Sequence, residues 1–184
     1  IEGLELSQVM IDVLGHRAPG LKVHKGDMRD YTINGRYDAI LALSSVLVFV
    51  ANEQEIKQCL QRCHSHLKSK GILLLELPNH AVEIGQSNNS QEIYQSEDQS
   101  TIVVIQCAVE GQDWNEPWHV FRQNGEGLSH QQAVCQEFLY SPTTLATQLQ
   151  EVGFDVIEKH GDLLGNPFDE ASSWRRVLIC EKRD

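Results

Sequence analysis

Hydrophobic positions in the first half of the chain fall into short runs separated by polar turns, and their spacing alternates between strand-like and helix-like. Ile1 to Leu6 reads as a short strand, and Ser7 is placed to N-cap a helix whose apolar residues Met10, Ile11, Val13 and Leu14 keep one face. Gly15, Pro19 and Gly20 end that helix. Leu21 to His24 is a second brief strand, which runs into the polar segment GDMRDY at 26–31 and a turn over 31–36. From Tyr37 the run YDAILAL has the length and apolar character of a parallel strand covered on both faces. Asn52 can cap the next helix, with Glu55 completing a capping box. Ile56, Cys59, Leu60, Cys63 and Leu67 then form a stripe at helical spacing, stopped by Lys68, Lys70 and Gly71. ILLLEL at 72–77 is another buried strand, closed by Pro78. This rhythm predicts an α/β sheet, mostly parallel, with right-handed crossovers and helices on both faces.

The pattern changes after Pro78. Residues 79–100 are rich in Ser, Gln, Asn and Glu and read as a loop or mobile lid. Three β-like stretches follow, 101–109, 117–123 and 129–139, with GQDWNEP and NGEG as their turns, which predicts an antiparallel meander. Ser141-Pro142 opens a helix with Leu145 and Leu149 on one face, Gly153 closes it, and FDVIEKH and VLICEKR read as the last two strands. The expected division is a core built from 1–78 and 141–184, with 79–140 inserted as a lid.

A length of 184 residues suits one domain with such an insertion. Fifteen Lys and Arg against 26 Asp and Glu leave a net charge of −11, which repels phosphate backbones and anionic lipid, so neither nucleic acid nor membrane is an expected partner. The most apolar stretch, 39–51, contains two serines and falls well short of the roughly 20 residues of a membrane helix. Five cysteines without tight pairing fit a reducing compartment, hence a cytoplasmic location. With strand-like residues at once and no initiator Met, the sequence reads as a piece of a longer chain.

Two acids carry the first chemical information. Glu5 ends the opening strand immediately before a capped helix, where an acid can accept both hydroxyls of a ribose; an ordinary surface carboxylate is the plain alternative. Asp27-Met28 follows the next strand. Its carboxylate can accept from an exocyclic amine while the Met28 N–H donates to a ring nitrogen, so the pair can read adenine, although Gly-Asp is also common turn chemistry. One strand-and-helix unit separates the two acids, which places both on one edge of the sheet.

GLELS at 3–7 with Met10 following, GDMRD at 26–30, RYDAILALSS at 36–45 and HLKSKGILLLEL at 66–77 resemble, in order and spacing, successive motifs of the class I, Rossmann-like S-adenosylmethionine-dependent methyltransferases. The wording is similar to that of small-molecule enzymes that N-methylate amino sugars. The resemblance implies a Rossmann-like fold with an antiparallel final strand and S-adenosylmethionine as cofactor. It also implies that Glu5 holds the ribose diol, Asp27 takes the adenine amine, Leu6 and Met28 flank the ring, and Leu43 and Ser44 pass the methionine part. The family's glycine-rich loop belongs to a strand upstream of Ile1 and has no counterpart in this sequence.

The reaction so implied is an in-line displacement at the sulfonium methyl by a nitrogen or oxygen of a small molecule, for which the protein mainly aligns the reactants and excludes water. Asn79, His80, Trp118 and His119 are candidate substrate contacts, and His130 is the preferred base, each histidine being weighed against a plain surface or hydrogen-bonding role. Glu76, inside its strand, either points into the pocket or is a buried acid with a partner. Trp114 and Trp118 either line a pocket or cover the lid. Cys59, Cys63, His64 and His66 invite a metal reading, but the cysteines share the apolar stripe and are expected to be core, so no metal is expected. A homodimer or larger biosynthetic assembly is compatible with the reading. Two other functions stand beside methyl transfer: a non-catalytic scaffold for binding or dimerisation, and an NAD-dependent oxidoreductase.

Overall fold

Each parallel strand ends at a polar turn that starts a helix or loop on one edge, and this regularity organises the chain. A computed structural model describes residues 1–87 and 89–184. Strand β1 (Glu2–Glu5) leads to helix α1 (Gln8–Arg17), capped by Ser7, whose hydroxyl accepts from Met10 N at 3.4 Å. β2 (Lys22–Lys25) pairs with β1 in parallel. β3 (Tyr37–Ala42) passes through a short 3-10 turn, Val46–Phe49, to α2 (Glu53–His66), and β4 (Leu67–Pro78) returns parallel to β3. α2 starts as its capping residues require: Asn52 Oδ1 accepts from Glu55 N at 3.0 Å, while Glu55 Oε2 accepts from Ala51 N at 3.0 Å.

The insertion contains α3 (His80–Ser87), β5 (Gln91–Gln95), β6 (Thr101–Gln106), β7 (Ala108–Glu110), β8 (Asp113–Asn124) and β9 (Gly127–Phe138). These five strands make one antiparallel sheet on β8. The expected loop over 79–100 therefore contains a helix and an edge strand. Its polar composition reflects exposure of β5, all five residues of which face solvent. The chain closes with α4 (Pro142–Val152), β10 (Phe154–His160) and β11 (Arg175–Lys182). Ser141 caps α4, and Gly153 ends it with φ 105°, the left-handed geometry that glycine adopts without a steric penalty. β11 runs antiparallel to both β10 and β4, giving the order β10-β11-β4-β3.

The main core lies between α2, α4 and the β3–β4–β11 face, with Ile56, Leu60, Leu73, Leu75, Leu149 and Phe154 fully buried. Cys59 belongs to it, and burial pushes its thiol up to about 12. His66 Nε2 accepts from Ile33 N at 3.1 Å, and His64 packs edge-on against Phe154. All four residues weighed as metal ligands are thus engaged in packing or in hydrogen bonds to the backbone, Cys63 at the margin of the core.

Two expectations change. The parallel strands form two sheets, because β1 and β3 do not pair with each other. α1 has no buried residue, and Met10 and Val13 stay 48% and 37% exposed. What joins the sheets at the start of their strands is Glu2, whose carboxylate accepts from Tyr37 Oη (2.7 Å), His24 Nε2 (2.7 Å) and Lys22 Nζ (3.0 Å). Those bonds hold the Glu2 carboxyl down at about 2 from an ordinary 4.5. A depressed carboxyl stabilises the fold fully above the unfolded value and loses that contribution as the pH falls through the folded value. Glu2→Gln should therefore lower Tm by a few degrees at most at neutral pH, with the deficit shrinking below pH 4.5 and gone near pH 2 in a thermal-melt series.

Candidate active site

The carboxyl ends of β1, β2, β3 and β4 share one edge, and identifiable bonds put them there. Gly26 N–H donates to Glu5 O at 3.0 Å, so the ends of β1 and β2 stay side by side. Glycine suits that approach, since a Cβ at position 26 would sit 3.1 Å from Leu4 Cδ1. Arg29 Nη1 donates to Glu55 Oε2 at 2.9 Å, tying the loop after β2 to the first turn of α2, which follows β3. Together with the Tyr37–Glu2 bond at the other ends, this fixes both parallel pairs pointing the same way. Glu5, Asp27 and Ser44 consequently face one margin of the molecule.

Glu5 Oε1 accepts from Ser7 N at 2.7 Å, which fixes the carboxylate, and its Oε2 has no partner among the described residues. Asp27 Oδ1 accepts from Arg29 N and Nε, both at 2.9 Å, and Oδ2 accepts from Arg29 Nη2 at 2.5 Å. Chiefly the Arg29 hydrogen bonds hold the Asp27 carboxyl below its ordinary value. Oδ2 keeps a lone pair beyond that single bond. Met28 packs against the main core, while Leu6 and Leu43 stay 61% and 38% exposed. A cavity of about 670 Å³ borders this loop, lined by Asp27, Arg29, Glu55, Gln58 and Arg62 among others.

A second cavity, about 200 Å³, lies at the end of β3 and β4 and is lined by Ser44, Ser45, Phe49, Glu76, Pro78, Glu83, Glu137 and Arg175. Ser44 and Ser45 both adopt left-handed backbone angles, φ 53° and 57°. Such residues cost roughly 1–3 kcal/mol each and persist only where neighbours hold them. Glu76 is such a neighbour: its Oε2 accepts from Ser44 N at 2.8 Å. Of the two readings of Glu76, the structure favours the first: it lines the cavity, half-buried rather than buried, and its partner is the Ser44 N–H.

Glu83, on α3, lies 3.7 Å from Arg175 Nη1. Burial pushes the Glu83 carboxyl up despite that cation. Glu137, near the end of β9, is pushed up to about 7, mainly by burial and then by the charges of Glu83 and Glu116, with Arg175 opposing. Two raised carboxyls, Glu83 and Glu137, thus share the Arg175 guanidinium at the cavity wall. The sequence reading missed Glu83, Glu137 and Arg175. A signal was available for Glu137: it lies two residues beyond Cys135 along β9, so an acid occupies a position on the half-buried face of the strand's end.

Register decides the fate of the histidines. β8 and β9 pair without interruption, Trp114 opposite Glu137, Trp118 opposite Ala133, His119 opposite Gln132 and Phe121 opposite His130. Side chains alternate faces, so Trp114, Trp118 and Glu137 share the cavity side, whereas His119 and His130 lie on the other face. His130 is also seven residues from Glu137, roughly 23 Å at about 3.3 Å per residue. There it stacks on Phe121, with ring centroids 4.6 Å apart, and meets His119 Nδ1 at 3.1 Å. The preferred base therefore sits away from the cavity. His130→Ala should leave kcat within about twofold of the unmodified chain in a methyl-transfer assay, because nothing at the cavity wall is disturbed.

Asn79 is 1% exposed, and its amide donates to Glu170 O (2.9 Å) and Ser173 O (2.8 Å), which makes it a brace for the segment before β11 rather than a substrate contact. His80 packs edge-on to Tyr140, away from the cavity lining, and burial lowers its pKa to about 4, so the ring is neutral. Trp114 is core, 4% exposed, whereas Trp118 remains 37% exposed.

No family model matches the chain. Over 76 residues, 41% of the chain, it is 33% identical to the dTDP-3-amino-3,6-dideoxy-alpha-D-glucopyranose N,N-dimethyltransferase of Streptomyces fradiae, and the match spans 30% of that relative's length. An S-adenosylmethionine-dependent methyltransferase from Clostridium acetobutylicum superposes on the whole chain with a TM-score of 0.84 at 15% identity, the chain covering 75% of it. The fold is that of the Rossmann-like methyltransferases. A sugar N-methyltransferase from a Streptoalloteichus species shares it, with a TM-score of 0.79 at 20% identity, covering all of this chain and 71% of the other. In the methyltransferase fold, as in open α/β sheets generally, ligands lie beyond the carboxyl ends of the strands; the second cavity borders that edge, while the first reaches it at Asp27 and extends along α2.

Proposed function

We propose that the chain serves S-adenosylmethionine-dependent methyl transfer to an amino group of a small, sugar-like acceptor. The observation that carries this reading is the acidic cavity at the Ser44 turn, whose lining includes Glu76, Glu83 and Glu137 together with Arg175. The activity of the Streptomyces fradiae relative, N,N-dimethylation of an amino sugar, supports it.

The residues present fit the cofactor. Glu5 offers a free carboxylate oxygen to a ribose diol, Asp27 offers a lone pair to an amine, and the Met28 N–H has no acceptor among the described residues. Bound there, the cofactor supplies a methyl group activated by the positive charge on its sulfur. The chain's part is alignment and proton handling. An alkyl amine arrives protonated, since its reference pKa is about 10, and carboxylates attract it. Glu137, at about 7, accepts that proton and frees the nitrogen lone pair for in-line attack. Arg175 limits repulsion among the acids. Trp118, on the same face as Glu137, is the wall against which a sugar ring can lie, and residues 79–140 form the acceptor-side cover.

A nitrogen acceptor is favoured over oxygen because a base near 7 can deprotonate an ammonium at neutral pH but is far too weak for a sugar hydroxyl. The competing scaffold and oxidoreductase readings give no role to an inward acid at this wall. The test is to offer a nucleotide-linked amino sugar and its hydroxyl counterpart with the methyl donor, reading product mass. Transfer to the amine alone is expected; equal transfer to the hydroxyl sugar would sink the reading.

A further inference from the structure

Arg29, on the loop after β2, is bonded on both sides and has no part in the site as described so far. Arg29 places three N–H bonds on Asp27 and a fourth, from Nη1, on Glu55. Glu55 is itself anchored, since its Oε2 accepts from Ala51 N and its own N–H bonds the Asn52 cap. The chain of contacts Asp27–Arg29–Glu55 thus runs from the loop after β2 to the first turn of α2, while the other bonds from that loop to α2, from Ile33 to His66 and from Arg36 to Ser65, lie at the helix's far end. A guanidinium fork fixes the plane of a carboxylate as well as its position, which a single point charge cannot do.

We propose that Arg29 is a positioning residue that makes the cofactor site selective for a purine bearing an amine at its 6-position. The inference rests on the reading that Asp27 meets the adenine of the cofactor. With Arg29 in place, Asp27 stays ionised and is an acceptor only, with its free lone pair on Oδ2 held in one direction. A 6-amino group donates to that lone pair. A 6-oxo group, as in the deaminated inosine analogue, presents a second acceptor to it and is rejected. Without the fork, Asp27 can rotate away, and the same pocket loses its preference while its ribose contact through Glu5 remains.

Calorimetric titration of the chain with S-adenosylhomocysteine and with S-inosylhomocysteine tests this. The unmodified chain should bind the adenosine compound more tightly. Arg29→Met should lower that preference about tenfold, chiefly by weakening the adenosine compound. A fall of both affinities by the same factor would show a merely structural brace and overturn the proposal. Arg29→Lys keeps a cation but not the fork, guards against misfolding of the Met variant, and should lose most of the preference; full retention would also overturn it. If the unmodified chain binds neither compound, the cofactor reading itself fails and takes this inference with it.

Discussion

Glu137→Gln is expected to lower kcat for methylation of an amino-sugar acceptor by about a hundredfold, the lower end of what a positioned proton acceptor contributes. Glutamine keeps the shape of the side chain and its place at the cavity wall, so the loss isolates the proton step. The pH profile gives a second readout. Turnover in the unmodified chain should fall as the pH drops through about 7, where burial and the neighbouring acids have placed the Glu137 carboxyl, and the variant should lack that limb. Stability should move the other way. A carboxyl raised on folding destabilises the fold as pH rises above its unfolded value, because ionisation is then more favourable in the unfolded chain. The glutamine variant should therefore match the unmodified chain in Tm near pH 4 and exceed it near pH 8. Unchanged turnover with this stability gain would mean that Glu137 is a buried structural acid and nothing more.

The second large effect concerns the cofactor edge. Glu5→Ala and Asp27→Ala are each expected to weaken S-adenosylhomocysteine binding roughly 10–100-fold, the value of one hydrogen bond to a charged group at about 1.5–3 kcal/mol. The two acids grip different parts of one ligand and share no side-chain bond, so the double variant should lose nearly the product of the single losses. Thermal stability measured with and without ligand offers an independent check, since a ligand that binds only the folded chain must raise Tm, and each variant should lose part of that rise. Unaltered affinity in both single variants would remove the site. Asp27→Ala also strands one side of the Arg29 fork, so its loss should exceed that of Asp27→Asn, which keeps an acceptor oxygen.

Much of this edge was legible in the residues. Ser7, Asn52 and Ser141 announce the starts of α1, α2 and α4 because capping is local chemistry, decided within one turn of chain. The buried run of β4, and the acids at the ends of β1 and β2, follow from patterns equally short in range, whereas β3, expected to be covered on both faces, has no buried residue and leaves Leu41 60% exposed because no helix among the described residues packs over that face. The helix α3 and strand β5 were not legible, since their polar composition suits a loop and what orders them is packing of Ile84 against the cluster of Ile105, Cys107, Trp114 and Leu139 and pairing of β5 with β6. His130 illustrates the same limit: a histidine in a strand shows its chemistry in the sequence, but not the face it occupies.

By itself, then, the sequence determined the α/β order, the caps, and the placing of Glu5 and Asp27 on neighbouring strand ends, because each depends on interactions within a few residues. Only the tertiary structure decided that β1–β2 and β3–β4 form separate sheets tied through Glu2 and Arg29. It alone brought Glu76, Glu83, Glu137 and Arg175, from four different elements, to one cavity. The physical reason is that burial and mutual charge, which make Glu137 a proton acceptor near neutrality, arise between segments distant in the chain and leave no periodicity to read.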